Sequence, residues 1–194
     1  MSKILVVATG NPGKLQEMQA YLTSLDWELQ LKPDDLEIEE TGTTFAANAC
    51  LKASQIAIAT GNYAISDDSG LEVAALNGAP GIYSARYANS DSERISRLLA
   101  ELGDTANRQA QFVCAVAISD PSGEIVLQSV GICPGEILDS PRGMGGFGYD
   151  PIFYVPAYQS TFAEMSKEVK HQISHRGQAF QALLPQLQAL RLSL

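Results

Sequence analysis

The first residues of this 194-residue chain constrain its fold more than any other stretch. Residues 3–8 (KILVVA) form a short apolar, β-branched run that stops at the turn TGNPG. Such a run, bounded by Gly and Pro, predicts a buried strand followed by a turn. From Lys14 onward the apolar residues Leu15, Met18, Leu22 and Leu25 recur at helical spacing. Strand, glycine turn and helix in that order are the start of an α/β arrangement.

The rest of the chain extends this pattern. WELQLK (27–32) alternates like a second strand, and the loop DDLEIEE (34–40) carries five acids in seven positions. Thr43 or Thr44 can cap a helix running to about Thr60, with Phe45, Cys50, Leu51, Ile56 and Ile58 among its apolar residues. YAISDDSG (63–70) predicts a short strand ending in two acids, then strand-like LEVAAL and a loop, NGAPGIYSARY. Asp91 or Ser92 can cap a helix over 93–102, which Gly103 stops. Residues 108–119 and 124–133 predict two longer strands joined by DPSG as a hairpin. A glycine-rich loop, GMGGFG (143–148), precedes PIFYVP and an expected capping box at Thr161 and Glu164. A final helix is predicted from about Ser174, with Phe180, Leu183, Leu184, Leu187 and Leu190 on its apolar side and a kink at Pro185. Helix–strand alternation plus a long hairpin predicts an α/β fold with a mixed sheet. No repeat or linker divides the chain, so one domain over residues 1–194, with two lobes, is expected.

Composition narrows the function. Acids outnumber bases 22 to 13, a net charge of −9, which argues against gripping nucleic acid through many phosphate contacts. A small anionic ligand remains compatible, because its site needs only a few local cations. Three cysteines (50, 114 and 133) are too few for a disulfide framework and form no CxxC pair; Cys50 and Cys114 are expected in the core. The apolar N-terminal run is too short for a signal or membrane segment, so a cytoplasmic protein without membrane contact is expected.

Two familiar motifs fail. GNPGK resembles a phosphate-binding loop, but GxxxxGK[ST] needs Gly at Ala8 and Ser or Thr at Leu15. What survives is a helix N-terminus after a glycine turn, with free N–H groups and a positive dipole end for an anion; the bland alternative is a plain βα turn. GMGGFG matches GxGxxG, yet Asp150-Pro151 follows where a dinucleotide fingerprint must open a helix.

Other residues carry chemistry. Adjacent strand residues point to opposite faces, so Asp67 and Asp68 need not act as a pair. Glu39 and Glu40 precede a helix and can join Asp67 or Asp68 around a hard cation; the alternative is a solvated acidic face. Lys14, Lys52 and the segment KHQISHR, with Lys170, His175 and Arg176, supply cations. Phe147 and Tyr149 can stack on a flat ring or pack in the core. An anion-binding turn, cations, carboxylates and a stacking aromatic together suit Mg²⁺-assisted hydrolysis of a nucleoside triphosphate.

At this point the chain resembles the Ham1/RdgB family of inosine triphosphate pyrophosphatases, bacterial branch. The matching segments are TGNPGK (9–14), EETGTTF (39–45), NACLKA (48–53), DDSGLEV (67–73), GAPGIYSARY (78–87), GGFGYDPIF (145–153) and KHQISHRGQA (170–179). The resemblance implies an elongated mixed β-sheet with flanking helices, two lobes around a central cleft, and a homodimer. It implies hydrolysis of ITP, dITP and XTP to the monophosphate and pyrophosphate, keeping deaminated purines out of DNA and RNA. Carried over, Asp68 is the general base, and Glu40 and Asp68, with Asp67, hold Mg²⁺; the division of roles between Asp67 and Asp68 stays open. Thr9, Gly10, Asn11, Pro12, Gly13, Lys14 and Lys52 grip the triphosphate, with Ser69 nearby. Phe147, Gly148, Tyr149, Asp150, Lys170, His175 and Arg176 form the base pocket.

A donor there, from His175, Arg176 or a backbone N–H, accepts a 6-keto purine and leaves the amino group of adenine facing a donor, a mismatch worth about 1–3 kcal/mol. Rival readings are a nucleotide-binding module without catalysis, a pyrophosphatase for modified pyrimidine triphosphates, and an acidic interaction protein.

Overall fold

The computed structural model describes residues 3–22, 27–36, 38 and 40–192. Its elements in order are β1 (Lys3–Val7), α1 (Pro12–Leu22), β2 (Trp27–Leu31), α2 (Phe45–Thr60), β3 (Tyr63–Val73), α3 (Asp91–Leu102), β4 (Gln109–Ser119), β5 (Ile125–Ile137), β6 (Phe153–Val155), β7 (Ser160–Thr161), α4 (Lys167–Ile173) and α5 (His175–Leu192). Short 3₁₀ turns cover Ala74–Leu76, Gly81–Arg86 and Pro156–Tyr158. Seven strands make one sheet in the order β2-β1-β3-β4-β5-β6-β7. β1 is parallel to β2 and β3, whereas β6 is antiparallel to β5 and β7, so the sheet is mixed as expected.

The chain forms two compact units. The first comprises residues 1–68, 114–131 and 176–194; the second comprises 69–113 and 132–175. In the first unit the sheet is covered on both faces. Leu5, Val7, Ile65, Val116 and Ile118 pack with Met18 and Leu22 of α1 and Phe180 and Leu183 of α5. Val6, Ala8 and Ala64 pack with Ile56 and Ala57 of α2. Both-face burial explains why β1 is a continuous apolar run, and the alternation of Leu5 and Val7 with Val6 and Ala8 sorts its side chains to the two helix layers. In the second unit Leu71, Val73, Ile95, Leu98 and Ile152 surround an aromatic group of Phe112, Phe153 and Phe162.

Several local expectations need correction. β3 does not end at the acids but runs through them to Val73. α3 is capped by Ser90, whose Oγ accepts from Glu93 N, not by Asp91 or Ser92. Thr161 and Glu164 interact, with Glu164 Oε2 accepting from Thr161 N, but they close a turn beside β7 and start no helix. The helix that follows is the unforeseen α4, capped by Ser166; Ser174 ends it, and α5 continues through Pro185. Cys114 and Cys133 are buried, but Cys50 is only half-buried, and Ile58 on the same helix is 60% exposed. Leu25, Glu37 and Glu39 lie outside the described residues.

Candidate active site

In the first unit the alternation set by β3 decides the site. Ala64 faces α2 and Ile65 faces α1 and α5, so Asp67, two residues after Ile65, faces α1 and α5, and Asp68, four residues after Ala64, faces α2. Their partners agree. Asp67, 1% exposed, accepts through Oδ2 from Arg176 Nη2 at 2.9 Å and Nε at 3.2 Å, and pairs with Lys14 Nζ at 3.4 Å. Arg176, equally buried, also binds Glu17 of α1 through Nη1. Burial alone raises the Asp67 carboxyl, but Lys14 and Arg176, with Lys52 behind them, overcome it and hold it well below the usual carboxylate range.

Asp68 has a different environment. Its Oδ2 accepts from Asn48 Nδ2 at 3.0 Å, and its Oδ1 lies 3.8 Å from Lys52 Nζ. The same ammonium donates to Glu40 Oε1 at 2.6 Å. Here burial dominates and raises the carboxyl, with Lys52, Lys14 and the Asn48 hydrogen bond opposing it and Glu40 adding to it. Lys52 is itself raised: burial lowers it, and the charges of Asp68, Asp67 and Glu40 more than compensate. Asn48 and Lys52 stand one turn apart on α2, so one helix face delivers both to Asp68. Asn48 Oδ1 in turn accepts from Gly42 N at 2.8 Å, and a Cβ at Gly42 would stand 2.6 Å from that oxygen. Asn48 ties the loop after Glu40 to Asp68, which only a residue without a side chain at 42 permits.

The Thr9–Lys14 turn differs from the expectation of open amides. Asn11 Oδ1 accepts from Gly13 N at 2.9 Å and Lys14 N at 3.2 Å, Pro12 has no N–H, and Leu15 N bonds to Asn11 O. Asn11 itself donates its N–H to Thr9 Oγ1 at 3.2 Å. The first amides of α1 therefore serve the turn, and Lys14 brings its ammonium to Asp67.

The second unit holds Ser69, the glycine loop, Lys170 and His175. Asp150 Oδ2 accepts from Phe147 N at 2.8 Å and Lys170 Nζ at 2.7 Å. Lys170 Nζ lies 4.8 Å from the centre of the half-buried Phe147 ring and 5.6 Å from that of Phe162. Gly146 has φ +74°, and a Cβ there would collide with the Asp150 carboxylate. Buried His175 stacks on Phe112 at 4.7 Å between centroids and on Phe162 at 6.3 Å. Tyr149 is core: it is buried, and its hydroxyl donates to Ser84 O at 3.0 Å. Ser69 follows Asp68 along β3 and is half-buried.

The expected residues thus divide. Glu40, Lys52 and Asp68 converge, and Lys14, Asp67 and Arg176 converge on the opposite face of β3. Phe147, Asp150 and Lys170 form a third group, and His175 joins its Phe162 edge. Asp67 is therefore not grouped with Glu40 and Asp68, and the Arg176 guanidinium is not grouped with His175. Two contributors were not anticipated. Asn48 was signalled only by its i, i+4 spacing to Lys52, and Glu17 by its i, i+3 spacing to Lys14.

Comparison with known proteins sets this geometry in context. A sequence model of the Ham1 family matches residues 5–186. A dITP/XTP pyrophosphatase from Nostoc sp. is 69% identical over 98% of this chain and 97% of its own length. One from Synechocystis sp. is 59% identical over 96% of both chains. Among solved structures, a HAM1 protein from Coxiella burnetii superposes with a TM-score of 0.87 at 43% identity, covering 99% of this chain and all of the other. A nucleoside-triphosphatase, dITP/XTP pyrophosphatase, from Mycobacterium abscessus has a TM-score of 0.75 at 40% identity, covering 95% of this chain and 99% of its own.

Proposed function

The chain belongs to the Ham1 family, and from that premise we propose that it hydrolyses non-standard purine nucleoside triphosphates (ITP, dITP and XTP) to the monophosphate and pyrophosphate. The observation that carries this reading is the environment of Asp68. One of its oxygens is held by Asn48, the other faces Lys52, and Glu40 lies across the same ammonium. A carboxylate raised above its ordinary range is a better base for a water than one held below it. Asp68 is accordingly the base, and Asp67, whose Oδ2 takes both Arg176 and Lys14, is the buried counter-charge that holds those two cations in place.

Glu40 and Asp68 fit a divalent cation, which we take as Mg²⁺, because both carboxylates already converge on a single positive charge. Such an ion needs only one or two protein carboxylates beside substrate phosphates and water. When bound, the ion neutralises charge on the phosphates. Lys52 and Lys14 bind phosphate oxygens, and Asp68 takes the proton of the attacking water. In the second unit Phe147 offers a face to the purine, and Lys170 and His175 offer polar edges to its 6-keto side. The nucleotide pool makes this a cytoplasmic task. A homodimer is part of the same reading and is checked by light scattering.

The test is pyrophosphate release from ITP, XTP, dITP, ATP, GTP and dUTP, with Mg²⁺ and with EDTA. Turnover of the first three, abolished by EDTA, is expected. Equal turnover of ATP, or activity that survives EDTA, refutes the proposal, and a preference for dUTP moves the enzyme to pyrimidines.

A further inference from the structure

The glycine loop that carries Phe147 is held by two carboxylates, and only one belongs to it. Gly146 and Gly148 flank Phe147 with φ of +74° and +62°, so the ring sits between two pivots that many backbone conformations satisfy. Asp150, three residues on, takes the amide of Phe147. The next donor, Gly148 N, goes to Asp91 Oδ2 at 2.7 Å, across 57 positions of sequence.

Asp91 opens α3, where an acid ordinarily needs no partner beyond the helix dipole. Ser90 already caps the helix, and the Oδ1 of Asp91 pairs with Arg94 at 2.5 Å. Its Oδ2 is not used by α3 and reaches the loop. The bond is charge-assisted, short and made to a backbone amide, so it restrains the loop's path and not merely a side chain. With Asp150 on one side of Phe147 and Asp91 on the next peptide, the two carboxylates fix both peptides that orient the ring.

We propose that Asp91 is a positioning residue for nucleobase recognition: by holding Gly148 it aims Phe147 and the Lys170 charge above it at the purine. The proposal rests on the functional reading above. It predicts that Asp91 acts on binding of the base and leaves the chemistry at Asp68 alone. In Asp91→Ala, KM for ITP rises about 5- to 10-fold with kcat within about twofold, the signature of lost uniform binding. Asp91→Asn, which keeps an acceptor oxygen without the charge, recovers most of the loss. Arg94→Ala removes the partner of the other oxygen and leaves KM within about twofold.

Two competition arms separate positioning from a general structural effect. IMP, which carries the base, inhibits Asp91→Ala about 5- to 10-fold more weakly than wild type, while inorganic tripolyphosphate inhibits both equally. Backbone amide exchange at Gly148 speeds up in Asp91→Ala, and should that variant not fold, Asp91→Asn is measured in its place with a smaller shift in the same direction. Unchanged KM for ITP in both Asp91 variants, or equal weakening of IMP and tripolyphosphate, overturns the role of Asp91. Absence of ITP turnover in the wild type overturns the functional reading itself, a result visible before any variant is made.

Discussion

Replacing Asp67 by Asn separates the two adjacent acids. Arg176 is 1% exposed and makes two hydrogen bonds to Asp67 Oδ2, so the substitution leaves a buried guanidinium facing a neutral amide. Removing one partner of a buried ion pair costs about 3–5 kcal/mol. Glu17 stays on Arg176 and Asn still offers an oxygen, which keeps the loss near the lower end, about 3 kcal/mol. For a chain of this length that lowers the thermal midpoint by about 6–12 °C.

The pH dependence has a definite sign. The folded-state pKa of Asp67 is depressed, because Lys14 and Arg176 outweigh burial. Its stabilisation is therefore complete above the unfolded pKa near about 4 and is lost as pH falls toward the folded value. The gap between wild type and Asp67→Asn is then flat from about pH 5 to 8 and narrows below about pH 4. Calorimetry over that range measures it, and pyrophosphate release from ITP is read in parallel. Asp68→Asn should lose about 10²–10⁴-fold in kcat with little change in midpoint, the reverse pattern. An Asp67→Asn protein as stable as wild type but inactive would refute the assignment and make Asp67 the reacting carboxylate.

Two further outcomes follow from the same geometry. Because burial raises Asp68, its carboxyl in the metal-free protein should titrate above the ordinary carboxylate range, read by carboxyl-carbon NMR; a midpoint at or below about 4 contradicts that environment. Asn48→Ala strips a hydrogen bond from Asp68 and the acceptor from Gly42 N, so kcat should fall at least about 10-fold, the scale of one charged hydrogen bond, with a lowered thermal midpoint; steady-state kinetics and a melt report both.

The strands and helices of the first unit were legible because their signals are local: an apolar run, a glycine turn, Thr44 before an apolar helix. The acids at 67 and 68 were misplaced at a strand end because charge inside a strand looks like a stop. The strand continues because each carboxylate meets cations from a different helix layer, Arg176 from 109 positions away and Lys52 from α2. No window around β3 contains that information. Thr161 and Glu164 show the converse. Their hydrogen bond was foreseeable, but its use was not, since Glu164 also binds Arg142 and the segment turns toward β7. Tyr149 and Phe147 read alike in sequence, and only the Ser84 carbonyl makes one of them core. Family motifs nominate the residues of the proposed site, and the alternation of β3 sorts Asp67 and Asp68 to opposite faces.

Charge bookkeeping in the first unit then explains why an acidic protein handles a polyanion only with help. Lys14, Lys52 and Arg176 face Glu17, Glu40, Asp67 and Asp68, so three cations meet four carboxylates, in a chain whose net charge is −9. Among the described residues these cations therefore already face the protein's own acids before any substrate arrives. A triphosphate entering the site would repel Glu40 and Asp68 unless further positive charge comes with it. In the proposed function a divalent cation carried in on the phosphates would reverse the sign at those two carboxylates and turn them from obstacles into ligands. On that reading the acids would make binding conditional on the metal.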